Sequence, residues 1–152
     1  MPSNIVVTTV LLVRHGERTA PTPANPDPPL TAAGKARAKT LLHVLGQAGI
    51  KAIYRSEFLR AKQTAQPLAA QLALTPIEMG NAAAIKHDIL SHHVGETVLM
   101  IGHSNMVPEL IQQLGAGTIP VIDDGEYDNL FVVKIVGSGK GSLTHLKYGK
   151  QS

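Results

Sequence analysis

Apolar and polar positions along this chain fall into blocks with two different periods. The first block, Ile5 to Val13, is apolar almost without a break and rich in β-branched residues, as expected of a strand buried on both faces. Residues 19–30 interrupt the pattern. Pro21, Pro23, Pro26, Pro28 and Pro29 remove backbone donors and fix φ, so this stretch reads as an extended loop. Thr31 then suits an N-cap for a helix to about Gln47, with Ala38, Leu41, Leu42 and Leu45 on its packed face and Gly46 and Gly49 near its end.

The alternation continues. Ala52-Ile53-Tyr54 reads as a short strand. Glu57 to Leu72 reads as a helix, with Ala61, Ala65, Leu68 and Leu72 at helical spacing and Pro67 expected to kink or split it. A strand near Thr75 to Met79, a helix near Ala83 to His93, a strand over Thr97 to Ile101 and a helix from Val107 to Leu114 follow. Two last strands, Asn129 to Val136 and Ser142 to Tyr148, face each other across Gly137-Ser138-Gly139-Lys140-Gly141 as a hairpin. Strands alternating with helices predict an α/β protein, a three-layer α/β/α sandwich with a largely parallel central sheet.

At 152 residues the chain suits one domain over 1–152, long enough to build a core without staples. Aromatic residues make up only 3%, so that core rests on Leu, Ile, Val and Ala. Cysteine is absent, which excludes disulfides, thiolate catalysis and cysteine metal sites. The net charge of +3 is mild and has no basic run or aromatic-basic alternation, which favours an anionic substrate over nucleic acid. No stretch approaches the length of a membrane span. As written the chain reads as cytoplasmic. The alternative is an exported protein whose mature start is marked by Met1-Pro2-Ser3-Asn4.

The chemistry concentrates where apolar runs end. Leu12-Val13-Arg14-His15-Gly16-Glu17-Arg18 delivers an arginine and a histidine into a glycine turn. A neighbouring cation disfavours imidazole protonation and preserves a lone pair for attack, while a guanidinium offers paired donors to phosphoryl oxygens. Two further segments, Tyr54-Arg55-Ser56-Glu57-Phe58-Leu59-Arg60-Ala61-Lys62-Gln63-Thr64-Ala65 and Val98-Leu99-Met100-Ile101-Gly102-His103-Ser104-Asn105, also pass from a strand-like run into polar residues that can open a helix.

These three segments together resemble the histidine phosphatase superfamily, the phosphoglycerate-mutase-like group. Its pattern is an N-terminal Arg-His-Gly, a Ser-x-x-x-Arg-Ala-x-x-Thr-Ala segment and a later strand ending in a second histidine. The resemblance runs from about residue 10 to about residue 136, where Glu126 to Val133 looks like the last core strand of the short members. It implies that His15 is a nucleophile forming a phosphohistidine, with Arg14, Arg60 and His103 holding the phosphoryl oxygens and no metal or other cofactor required. Arg18 matches an additional phosphate arginine of the acid-phosphatase branch. Ser56 lies near the phosphate in relatives or else caps its helix, and Asn105 reads as a helix start or a phosphate donor.

The general acid is the open position. Ser104 follows His103 where some relatives carry an aspartate, which leaves Glu78 at a strand end and Glu17 beside the nucleophile as candidates. The short interval between Arg60 and His103 leaves no room for a large cap insertion. The cleft is therefore expected to be open, as in the short phosphohistidine-phosphatase branch, and to act on a phosphorylated small molecule or a phosphohistidine protein. The sequence leaves the natural substrate and the oligomeric state open.

Three competing assignments use other residues. A serine hydrolase would use Ser104 with Asp123 or Asp128 and His145, but Met106 occupies its second elbow glycine and Arg14, His15 and Arg60 stay unexplained. A noncatalytic phosphate-binding module would use the same cationic residues without turnover. A metal site from His87, His92 and His93 places adjacent residues on diverging directions of a helix. Lys140 precedes Gly141 and a strand, so the glycine-rich turn is not a nucleotide loop.

Overall fold

The computed structural model describes residues 5–152. Met1–Asn4, on which the idea of a trimmed mature start rests, lie outside the described residues. The elements run β1 (Val7–Arg14), α1 (Ala32–Leu45), β2 (Ile50–Arg55), α2 (Leu59–Leu72), β3 (Ile77–Glu78), α3 (Ala82–His92), β4 (Thr97–Gly102), α4 (Met106–Gln113), β5 (Asn129–Val136) and β6 (Gly141–Lys147). They form one six-stranded sheet in the order β3-β2-β4-β1-β5-β6, flanked by helices on both faces. β1 to β4 are parallel, and β5 and β6 pair antiparallel as the C-terminal hairpin.

The period-two geometry of strands explains how so uniform an apolar run is used. Val10 and Leu12 of β1 join Val98 and Met100 of β4 beneath Ile85 and Ile89 of α3 and Val107, Leu110 and Ile111 of α4. Leu11 and Val13 join Leu99 and Ile101 on the other face beneath Leu41 and Leu45 of α1 and Ala61, Ala65 and Leu68 of α2. Both faces are covered, so both parities are apolar.

Several boundaries depart from the expected ones for identifiable reasons. β1 starts at Val7 rather than Ile5, because its antiparallel partner runs out at Val136, leaving Ile5 71% exposed. β3 shrinks to two residues at the sheet edge, where only Tyr54 and Arg55 pair with it. α2 is a single helix with Pro67 inside it, so no split occurs. Its first turn begins at Leu59 rather than Glu57. The cap comes from the proline-rich loop: the Asp27 carboxylate accepts the Leu59 N–H at 3.0 and 3.2 Å. Thr31 does cap α1, accepting from the Gly34 N–H at 3.2 Å.

Candidate active site

The register of the parallel strands builds the site. Arg14 is opposite Gly102 in the β1–β4 pair and Arg55 is opposite Ile101 in the β2–β4 pair, so His15, His103 and Ser56 emerge together beyond the carboxyl ends of three neighbouring strands. Ligands of open α/β sheets bind at such ends. The resulting pocket has a volume of about 390 Å³ and is lined by Arg14, His15, Arg18, Ser56, Arg60 and His103 among others.

His15 is 2% exposed, and its Nδ1 lies 2.8 Å from the Gly16 carbonyl oxygen. A carbonyl only accepts, so the proton sits on Nδ1 and the lone pair on Nε2. The Nε2 atom faces Arg60, whose Nε donates to it at 3.3 Å. Burial, reinforced by His103, Arg14 and Arg60, pushes the His15 pKa down to about 3, against the smaller upward pull of the Gly16 carbonyl. The ring is neutral, and its unprotonated nitrogen lies at the pocket floor, accepting from Arg60. The Gly16 N–H donates to Thr64 Oγ1 at 2.9 Å, and that hydroxyl donates to the Arg60 carbonyl at 2.7 Å, so the threonine of the second motif ties the nucleophile turn to α2.

Arg14 is anchored by one end. Its Nη1 donates to the carbonyls of Asp123, Asp124 and Glu126 at 3.0, 2.8 and 3.0 Å, and its guanidinium lies 4.2 Å from the Tyr127 ring centre. Its buried Nε has no protein partner, and neither does the Nε of Arg18. Burial lowers the Arg14 pKa, and Arg18 lowers it further despite the opposing acidic neighbours. Arg60 is lowered by burial and then by Arg18. Guanidiniums that line one pocket, with unpaired donors among them, have the chemistry to receive an oxyanion.

His103 completes the floor. Its ring centre is 5.1 Å from that of His15, Phe58 packs edge-on at 5.2 Å, and its Nε2 lies 2.7 Å from Ser56 Oγ. Burial, then the charge of Arg60, brings its pKa down to about 4. Ser56 therefore serves His103, and the α2 cap belongs to Asp27. Asn105 holds the N-cap position of α4 without a side-chain cap bond and lines the pocket.

The two carboxylates expected as acids stand elsewhere. Glu17 grips Arg37 with both oxygens, at 2.8 Å from Nε and 3.0 Å from Nη2, and this pairing outweighs burial and lowers its pKa. Glu78 pairs with Arg55 at 3.2 Å, its side chain 60% exposed. Neither lines the pocket; Glu57, Glu109 and Asp124 do. Asp27 and Tyr127 escaped the sequence reading because they reach the motif residues from distant segments of the chain, and Glu57 escaped it although it lies within the second motif. Glu57 offered one signal, its place directly after Ser56 at a strand end.

Ser104 lines the same pocket, but His145 and His93 of the other assignments have partners of their own. The Nε2 of His145 meets Asn129 Oδ1 at 2.7 Å and its ring stacks on Phe131, while His93 pairs with Glu96 at 2.7 Å. Among the described residues no group of three His, Asp or Glu side chains converges as metal ligands.

Comparison with known proteins agrees with this geometry. No curated protein sequence matches the chain. Among solved structures, the protein histidine phosphatase SixA complexed with tungstate is similar at 23% identity and a TM-score of 0.74, over 91% of this chain and 96% of that one. A chain from Nakamurella multipartitia with a provisional SixA phosphohistidine-phosphatase assignment gives 17% and 0.66, over 95% and 96%. A mycobacterial glucosyl-3-phosphoglycerate phosphatase gives 14% and 0.65, over 93% and 98%. At these identities the likeness is one of fold. The family profile described as histidine phosphatase superfamily (branch 1) matches residues 10–83, the stretch that supplies Arg14, His15, Ser56 and Arg60. With that profile on the residues that form most of the pocket floor, and His103 closing it from the adjacent strand, the chain belongs to branch 1 of the histidine phosphatase superfamily.

Proposed function

We propose that the protein is a metal-independent phosphohydrolase that cleaves phosphate monoesters or protein phosphohistidine through a phosphohistidine on His15. The observation that carries this reading is the neutral His15, its unprotonated Nε2 directed at Arg60 in a pocket of arginines with unpaired donors. Nε2 attacks phosphorus in line, forming the N–P bond as the bond to the leaving group breaks. Water then attacks the phosphohistidine, releasing orthophosphate and restoring the imidazole. Arg14, Arg18, Arg60 and His103 hold the non-bridging oxygens and stabilise their charge through both steps, the work a metal ion performs elsewhere.

The acid for the leaving group belongs to the substrate in this scheme. Glu17 and Glu78 lie outside the pocket, and the carboxylates that line it, Glu57, Glu109 and Asp124, are exposed and lack the burial that makes a carboxyl group an acid at neutral pH, so groups that depart with little help are favoured: an aryl oxide, or an imidazole whose distal nitrogen already carries a proton. The SixA structure similar in fold is that of a protein histidine phosphatase and holds tungstate, a tetrahedral oxyanion, which supports the reading.

The test is turnover of para-nitrophenyl phosphate by wild type and His15→Ala, without added metal and then with chelator. Chelator-resistant activity that falls by roughly a thousandfold or more in the variant is expected. Phosphate binding without turnover would instead make the protein a noncatalytic phosphate-binding module. Activity that survives His15→Ala and is lost in Ser104→Ala would point to the serine hydrolase.

A further inference from the structure

The residues around the pocket sort by depth and charge together. Its floor is cationic or neutral: Arg14, His15 and Ser56 are buried, and Arg18, Arg60 and His103 are half-buried. Its rim is acidic, since Glu57, Glu109 and Asp124 line the same pocket and are all exposed. No lysine is among the described residues that line it. Floor and rim are near enough to act on each other: Asp124 raises the Arg14 pKa and Glu57 that of His103. Arg18 belongs electrostatically to the floor, because its charge depresses both Arg14 and Arg60.

This arrangement has a consequence for whatever carries the phosphoryl group. With both histidines neutral, three guanidiniums and three carboxylates line the pocket and Asp27 stands 3.9 Å from Arg60, so carboxylates already offset the charge of the floor. A seated phosphate dianion engages the arginines and leaves the rim carboxylates to meet the attached portion of the substrate. Walls of low dielectric focus that negative field within the ~8 Å over which physiological salt leaves it unscreened.

We infer that Glu57, Glu109 and Asp124 set charge selectivity, so that the site takes phosphoryl groups on cationic carriers, such as a phosphorylated basic polypeptide segment, and turns away carriers bearing carboxylates or second phosphates. This inference rests on the pocket holding a phosphoryl group as proposed above. It adds a repulsive element to the attraction of the floor, and that pairing is how binding sites discriminate.

The experiment compares two non-hydrolysable phosphonates of similar size, 2-aminoethylphosphonate and 3-phosphonopropionate, by calorimetric titration, a readout that does not need turnover. Wild type is expected to bind the aminoethyl compound about fivefold tighter or more at low salt, with the preference shrinking as salt is added. In the double variant Glu57→Gln/Glu109→Gln, both positions exposed, the ratio should fall toward one. Equal or tighter binding of the carboxylated phosphonate, or an unchanged ratio in the double variant, overturns the inference while leaving phosphohydrolase activity standing. Failure of both phosphonates to bind removes the oxyanion site itself and overturns both readings.

Discussion

Glu17 is two residues from His15 along the chain, yet its carboxylate serves Arg37. That arginine is almost fully buried and also donates to the backbone carbonyls of Tyr148 and Lys150, so Glu17 neutralises a charge that fastens α1 to the C-terminal segment. Removing the charge from one member of such a pair leaves the other uncompensated. Glu17→Gln is expected to cost about 2 kcal/mol of stability in urea denaturation and to leave the pH dependence of para-nitrophenyl phosphate turnover in place. A variant of full stability with a lost acidic or basic limb would return Glu17 to the role of acid.

His15 also sets how stability depends on pH. Its pKa is lowered from 6.5 to about 3, so between those values the unfolded chain binds a proton that the folded chain refuses. The resulting destabilisation is absent above pH 6.5, grows as pH falls and is complete below about 3; His103, lowered to about 4, acts in the same direction. Wild-type unfolding free energy should therefore fall more steeply from pH 7 to pH 4 than that of His15→Asn. Parallel curves would mean that the imidazole is protonated in the folded protein. At the scale of single residues the motifs identified which imidazoles and guanidiniums meet, whereas the fate of each carboxylate was hidden, because it depends on cations that arrive from elsewhere in the chain.

Among the elements, α1 shows how closely the site's supports are packed. Gly34 in its first turn lies against the backbone of Glu17, and a Cβ at Gly16 would stand 3.0 Å from the Gly34 oxygen. Alanine within a helix is worth about 1 kcal/mol over glycine by propensity. At Gly34 the added methyl runs into Glu17 main-chain atoms that sit between the nucleophile and the proline-rich loop. Gly34→Ala should therefore lower the urea midpoint, a net loss of roughly 1–3 kcal/mol. A raised midpoint would show that propensity prevails.

Element positions were legible wherever periodicity had enough residues to repeat, as in β1, α1 and α3. They were misplaced where a distant group decided them. Asp27 sets the start of α2 from across the loop, and Leu30 donates its N–H to Gln63 of the same helix at 2.8 Å, so prolines that read only as a break in pattern in fact strap the loop to the helix carrying Arg60. β3 is short because it lies at a sheet edge, and edge position is a property of strand order.

For the molecule as a whole, three strand ends and two helix starts converge on a pocket with buried unpaired arginine donors, and folding alone does not relieve the repulsion among Arg14, Arg18 and Arg60. An oxyanion that fills the site should therefore stabilise the fold by mass action. Orthophosphate at about 100 times its dissociation constant is expected to add about 2.7 kcal/mol, seen as a concentration-dependent rise in the thermal midpoint that Arg60→Ala removes. An unchanged midpoint in wild type would show that the arginines do not form a phosphate site.

The sequence by itself determined the layered α/β architecture, since period-two and helical patterns can be read locally, and it determined the chemical inventory of the floor, since Arg14 and His15 sit where an apolar strand runs into a glycine turn, and Arg60 and His103 where an apolar strand gives way to a helix start. Tertiary structure alone decided that Glu17 serves Arg37, that Asp27 caps α2, that Ser56 holds His103 and that the pocket has an acidic rim. The physical reason is range. Backbone periodicity is written within a dozen residues, but the state and use of a polar side chain depend on charges, donors and burial contributed by segments far away in the chain, and only packing brings those together.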